Sequence, residues 1–237
     1  MDMETFITDF PLAPLVENQL IRREHMRKTI KQFVKITAKC LPFPEPIYEF
    51  GALQVPGQEG IANLRSIFPD YDYVGVDMRE GPGVDRILNL HNIDLTAESV
   101  GSVLCLDTLE HVEYPHQAMQ EIHRVLSSTH GMVVISSVMN FQIHGYPNDY
   151  WRFTPSAFES LLKPFKHSFV GFAGKESFPR TIVGVGFKGD APDLSEFKEE
   201  YRQWQNAQKF DSKYIVRQII PPVFLQIRQY LTKRWLR

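Results

Sequence analysis

The sequence predicts an α/β fold, a doubly wound and mostly parallel sheet with a helical extension at each end. Three observations predict it. Short apolar runs of strand length recur from Ile47 onward, separated by helical or turn segments. Between two of them, Pro115–Ser128 sets Ala118, Met119, Ile122, Val125 and Leu126 on one face of a helix that begins with proline, so the local order is β-α-β and the strands are parallel. The 237 residues, 43% hydrophobic and 23% charged, suffice for a sizeable core and exclude collagen-like, coiled-coil and wholly disordered chains.

The elements follow in order. Glu17–Lys39 reads as an amphipathic lead-in helix, with Leu20, Ile21, Ile30, Phe33, Val34 and Thr37 near helical spacing between basic residues. Leu41-Pro42-Phe43-Pro44-Glu45-Pro46 alternates three prolines and is a stiff link. Ile47–Phe50, Tyr73–Val76, Arg86–Leu88, Val103–Leu106 and Met132–Val138 are strand-like. His167–Ala173 and Thr181–Lys188 read as a closing hairpin whose loop contains Pro179. Leu194–Ile220 reads as a helix stopped by Pro221-Pro222, and a last helix then places Val223, Phe224, Ile227, Leu231 and Trp235 on one side. The expected division is an N-terminal helical extension, 1–44, a central domain, 45–190, and a C-terminal basic helical tail, 191–237.

The net charge of -2 hides an asymmetry. Residues 15–41 carry seven Lys/Arg against two acids, residues 212–237 carry six against none, and the body between them is acidic by 10 charges. This argues against a nucleic-acid-binding face on the body and turns any anionic partner toward the ends. The last helix suits a membrane surface or an acidic partner; alternatively it packs on the body and sets its cations on the acidic surface. Cys40 and Cys105 form no disulfide framework and no CxxC, which fits a reduced, intracellular chain. No stretch approaches roughly 18 uninterrupted apolar residues. Met1-Asp2-Met3-Glu4 lacks the basic and apolar regions of a signal peptide, so a soluble, cytoplasmic protein is expected, its one membrane contact being the C-terminal helix at the cytoplasmic face.

A ligand of an open parallel sheet sits at the carboxyl ends of the strands. The first strand ends in Glu49-Phe50-Gly51, an acid followed by a glycine turn, and the second ends in Asp77, whose carboxylate can accept both hydroxyls of a ribose. A nucleoside-containing cofactor fits both. A nicotinamide dinucleotide would also suit Asp77, but the first loop has no G-x-G-x-x-G for a pyrophosphate, and no Tyr is followed four residues later by Lys.

Over Ile47 to Lys188 the chain resembles the class I S-adenosylmethionine-dependent methyltransferases, and within them the type-11 group often found in glycan biosynthesis. The likeness rests on Leu109-Glu110-His111-Val112-Glu113-Tyr114-Pro115, on Glu121-Ile122-His123-Arg124-Val125-Leu126 and on Gly131-Met132-Val133-Val134-Ile135-Ser136. Tyr73-Val74-Gly75-Val76-Asp77 looks like the second strand, and Arg86-Ile87-Leu88-Asn89-Leu90-His91 like the third. Gly81-Pro82-Gly83-Val84-Asp85 and the stretch from His144 to Pro155 resemble a saccharide-associated subset. The resemblance implies a Rossmann-like seven-stranded sheet with an antiparallel last strand. It also implies S-adenosylmethionine as cofactor, held by Glu49, Phe50, Gly51, Asp77, Met78, Asn89, Leu90 and Asp107, and O-methylation of a saccharide or lipid-linked saccharide. Three positions depart from the family: Leu53 replaces a glycine, with the next glycine at Gly57; Asn89 replaces the usual Asp; and Gly101 stands where an Asp is usual. The missing glycines also motivate a second reading, a catalytically silent scaffold or binding subunit in a glycan-assembly complex.

A hydroxyl acceptor needs a base, for which His144 is the first candidate, Asp149 the second and His111 the third. Against these stand a surface loop histidine at His144, an Asp149–Arg152 pair, and a cap or strut role for His111. Tyr146, Tyr150, Trp151 and Phe153 offer stacking faces for sugar rings or an adenine lid, or else plug the core. His116, His123 and His130 recur every seven residues with no acid or thiol at ligand spacing, so they read as a solvated face and no metal site is expected. Cys105 reads as a small core hydrophobe.

Overall fold

The apolar runs pair as seven strands. In the computed structural model, which describes residues 28–54, 63–145 and 147–209, these are β1 (Ile47–Phe50), β2 (Tyr73–Asp77), β3 (Arg86–Ile87), β4 (Ser102–Leu106), β5 (Met132–Val138), β6 (His167–Lys175) and β7 (Phe178–Phe187). Their order is β3-β2-β1-β4-β5-β7-β6. The first five in that order run parallel, and β7 is antiparallel to both β5 and β6. In register, Phe50 faces Val76 on one side and Cys105 on the other. β4 and β5 are buried at every position, as central strands covered on both faces must be.

Side chains alternate across the sheet, so Val103 and Cys105 join one layer while Leu104 and Leu106 join the other. The first layer holds Met119 and Ile122 of α2 (Pro115–Val125) and Phe158 and Leu161 of α3 (Pro155–Leu161). The second holds Phe33 and Val34 of α1, helical over residues 28–40, and Phe197 and Trp204 of α4 (Ser195–Lys209). Phe33 lies 5.4 Å from the Trp204 ring and 6.2 Å from the Phe197 ring, centroid to centroid. Lys39 reaches Glu200 at 2.6 Å across the same pair of helices. Phe33, Val34 and Thr37 are fully buried, so the described part of the N-terminal helix is a wall of the core.

Several boundaries differ from those read in the sequence. α2 stops at Val125 rather than Ser128 because Leu126 pairs with Val100 in a parallel bridge. The closing hairpin is tighter, with Pro179 inside β7 and a register shift at Ala173/Gly174 absorbing it. α3 is unanticipated, although Thr154 accepts a hydrogen bond from the Ala157 N–H at 3.2 Å and Pro155 occupies the first turn, a start signal present in the sequence. Gly101 has a steric reason: a Cβ there would come within 2.3 Å of the Pro44 carbonyl oxygen, where the proline link crosses the sheet.

Residues 17–27 of the lead-in helix, Gly57, Tyr146 and the chain from 210 onward, with its two expected helical segments, lie outside the described residues. Among the described residues, no helix is long and apolar enough to cross a membrane. Because Phe33 is enclosed on every side, Phe33→Ala is expected to lower the free energy of unfolding by about 3–5 kcal/mol in urea titrations. A loosely attached lead-in helix would lose less than about 0.5 kcal/mol.

Candidate active site

The strand order reverses between β1 and β4, and there the carboxyl ends of β1, β2 and β4 open onto a cavity of about 300 Å³. Its lining includes Phe50, Gly51, Asp77, Met78, Asn89, Leu90 and Asp107, which are seven of the eight residues expected at the cofactor. Gly51 turns the chain at φ +86°, and a Cβ there would fall 2.1 Å from the Thr108 hydroxyl oxygen. That hydroxyl lies 3.3 Å from the Phe50 carbonyl and 3.0 Å from the Leu106 carbonyl, binding the first loop to the end of β4. Asp77 is 9% exposed at the tip of β2. Among the described residues its hydrogen bonds come from Arg79, main-chain N at 3.0 Å and Nε at 3.4 Å, and both end on Oδ1. Asn89 accepts from the His91 N–H at 2.9 Å. Asp107, at φ +47°, accepts from the Ser136 hydroxyl at 2.7 Å.

Glu49 is a correction. Strand alternation puts it on the Ile47 face, where its carboxylate accepts from the Tyr73 hydroxyl at 2.5 Å, and it is not part of the cavity lining. Burial, with Glu49 adding to it, pushes the Tyr73 phenol far above its ordinary range, so the phenol stays a donor.

The rest of the cavity wall is made by the turn after β4 and the loop after β5. Glu110, His111 and His144 all line it. Glu110 is fully buried, and its Oε2 accepts from the Ser137 hydroxyl at 2.6 Å. His111 Nδ1 meets the Asn148 carbonyl at 2.5 Å, so His111 is a strut to the loop rather than a helix cap. His144 Nδ1 lies 3.2 Å from the Gln142 carbonyl and 3.2 Å from Asp149 Oδ2. The two imidazoles pack edge to face, 4.8 Å between centroids. Burial pulls both below the usual imidazole value, and at His144 the neighbouring His111 adds to it, so both rings are uncharged at neutral pH.

Asp149 is a second correction. It lies behind His144 with a 3% exposed side chain and is gripped by the Arg152 fork, Nη1 to Oδ1 at 2.5 Å and Nη2 to Oδ2 at 2.7 Å. Burial opposes its ionisation, but the Arg152 fork and the His144 main-chain N–H outweigh it and hold the carboxyl at about 2. A carboxylate held so low is a poor proton acceptor, and its place is to orient His144. The aromatics divide: Phe153 is buried against Phe158, whereas Tyr150 and Trp151 are 42% and 44% exposed. The Trp151 indole N–H donates to the Val112 carbonyl at 3.0 Å. Glu110, Ser136 and Ser137 escaped the sequence reading; two serines together in the buried run Met132–Val138 were the available signal.

Residues 64–135 match the type-11 family described as a methyltransferase domain. The fold is similar to a Thermotoga maritima S-adenosylmethionine-dependent methyltransferase, at 19% identity over 75% of this chain and 96% of that one, TM-score 0.50. It is equally similar to a chain of the Haloferax volcanii complex between a methyltransferase and the activator Trm112, at 12% identity over 71% and 94%, TM-score 0.50. No curated protein matches the sequence.

The cofactor is S-adenosylmethionine, and the cavity suits it. Asp77 ends β2, and Asn89 and Leu90 follow β3 on the same cavity wall. The four acidic residues Asp77, Asp107, Glu110 and Glu113 stand against one Lys/Arg among the described lining residues, Arg79. That charge pattern favours a sulfonium and disfavours a pyrophosphate. Asp77→Ala is expected to weaken S-adenosylhomocysteine binding by about tenfold or more, ~1.4 kcal/mol, in calorimetric titration, while Glu49→Gln leaves it unchanged. Equal losses in both variants would contradict the assignment of Glu49 to the opposite face.

Proposed function

We propose that this chain, a class I S-adenosylmethionine-dependent methyltransferase, methylates a hydroxyl oxygen of a saccharide or lipid-linked saccharide. The observation that carries the acceptor class is the exposed aromatic pair Tyr150 and Trp151 on the loop that also supplies His144 to the cavity wall. Flat, partly exposed rings held by fixed hydrogen bonds are suited to the apolar faces of sugars. The Trp151 indole is tethered to Val112, and the Tyr150 hydroxyl accepts from Asn148 Nδ2 at 2.8 Å.

S-adenosylmethionine, when bound, supplies the methyl group and the leaving group, its sulfonium becoming a thioether. What this chain contributes is alignment and activation of the acceptor oxygen. The hydroxyl is activated at the pair His111 and His144, whose rings are oriented through Nδ1 and so keep Nε2 as the lone-pair nitrogen. Asp149 and Arg152 keep the His144 ring in place. For a lipid-linked acceptor, residues 212–237, with six Lys/Arg and no acid, are the segment suited to an anionic membrane surface.

The test is a methyl-transfer screen across saccharide, lipid-linked saccharide, peptide, amine and nucleic-acid acceptors. Transfer to a sugar hydroxyl is expected. Transfer to an amine or a nucleic acid instead would refute the acceptor class, and tight S-adenosylhomocysteine binding without any transfer would favour the scaffold reading. With a working acceptor, Trp151→Ala is expected to raise its KM by about tenfold, near the top of the range for one aromatic contact, with cofactor affinity unchanged. In flotation with anionic liposomes, the full chain should rise and a chain ending at Ile220 should not; equal behaviour would remove the membrane contact.

A further inference from the structure

We propose that Glu110, His111 and His144 bind one first-row divalent transition-metal cation, which holds and polarises the acceptor hydroxyl. The inference rests on the methyl-transfer reading above and specifies how the histidine pair acts. One carboxylate oxygen and one ring nitrogen from each histidine lie within 4.8 Å of one another. Donors that bind a cation at about 2.0–2.2 Å sit about 3–4 Å apart, so a small inward adjustment closes the set. Two imidazoles and one carboxylate, with the remaining positions open toward a cavity, suit a first-row divalent ion that must also take a substrate oxygen.

The stronger argument is what stands behind each donor. A metal-binding imidazole usually donates its other N–H to a carbonyl or carboxylate, which fixes the tautomer and aims the lone pair. Both histidines do so here: His111 through Nδ1 to the Asn148 carbonyl at 2.5 Å, and His144 through Nδ1 to the Gln142 carbonyl at 3.2 Å with Asp149 also at 3.2 Å. The Glu110 carboxylate is itself oriented by the Ser137 hydroxyl at 2.6 Å, inside a fully buried site. Arg152 directs its hydrogen bonds to Asp149, Phe141, Gln142 and Trp151, so the carboxylate it grips is the one behind His144. Ligand spacing in the sequence could not reveal this set. Glu110 and His111 are neighbours in one short turn, and His144 arrives from the loop after β5.

With the cation in place, the acceptor oxygen coordinates to it and releases its proton to solvent under the cation's pull. The oxygen's lone pair then forms the C–O bond to the methyl carbon as the methyl–sulfur bond breaks, and that electron pair stays on sulfur. Both histidines thus act as ligands, and neither needs to take the proton.

The test uses the full chain, stripped by a chelator and titrated with Mn(II) while the free-ion paramagnetic resonance signal is followed, with Zn(II) as displacing probe. One ion per chain with micromolar affinity is expected, weakened about 100-fold in His144→Ala and in Glu110→Gln, and about tenfold in the orienting variant Asp149→Asn. Absence of binding by either ion up to millimolar concentration overturns the proposal, as does unchanged affinity in His144→Ala, a loop substitution that leaves the core intact. S-adenosylhomocysteine titration of the same preparation separates the two readings. Cofactor binding without metal binding removes only the metal site, and metal binding without cofactor binding removes the methyl-transfer reading.

Discussion

A parallel sheet that places β2 on one side of its first strand and β4 on the other cannot cover the gap between their carboxyl ends with its own crossovers. Every group in the cavity inherits its place from that constraint. Phe50, Asp77 and Asp107 stand at or just past the ends of β1, β2 and β4, where backbone leaves the ladder and side chains stop being core. Two backbone positions there have positive φ, Gly51 and Asp107, so both strands turn sharply as they end. A glycine at the first needs no compensation. The aspartate at the second is held by Ser136, whose carbonyl and hydroxyl both accept from the Asp107 N–H at 3.0 Å.

The polar groups buried under the cavity explain why the acids stay put. Ser136 and Ser137 are fully buried in β5, and leaving either hydroxyl unbonded there would cost about 1–3 kcal/mol. They bond Asp107 and Glu110, so the same interaction that satisfies the strand also aims the site. β7 adds to this by pairing antiparallel with β5, and the Thr181 hydroxyl donates to the Ser137 carbonyl at 2.8 Å. The cavity floor is therefore hydrogen-bonded into the centre of the sheet.

What was legible in the sequence was what depends on period and composition. The β-α-β order, the buried face of α2, the carboxylate at the tip of β2 and the burial of Cys105 all follow from residues within a few positions of one another. The face that Glu49 takes is not legible, because a strand's two faces differ by one residue and an acid before a glycine does not declare which one it takes. Whether Asp149 suits a base turns on the Arg152 fork, whose geometry is set by the fold of the loop. Glu110 gives no local sign of its place, because its partner Ser137 arrives from β5. The glycine at Gly101 could not be explained before the proline link was seen to cross it. In each case the missing information was a contact between segments distant in the chain.

The loop after β5 carries both the exposed aromatics and the groups that orient the two imidazoles. Arg152 fastens Asp149 and the Phe141 and Gln142 carbonyls together, Asp149 and Gln142 orient His144, and the Asn148 carbonyl orients His111 across the cavity wall. Tyr150 and Trp151 stand between these residues in sequence, and their main-chain N–H groups donate to the Glu110 carbonyl at 2.8 and 3.3 Å. A ring stacked on those aromatics would thus press on the segment that aligns both imidazoles and on the turn that carries the buried carboxylate. The exposed aromatics, both imidazoles and the buried carboxylate consequently belong to one hydrogen-bonded unit. The acid–arginine pair at its centre does its work by holding shape, since two opposite charges matched in a bidentate fork leave little net charge to project into the cavity.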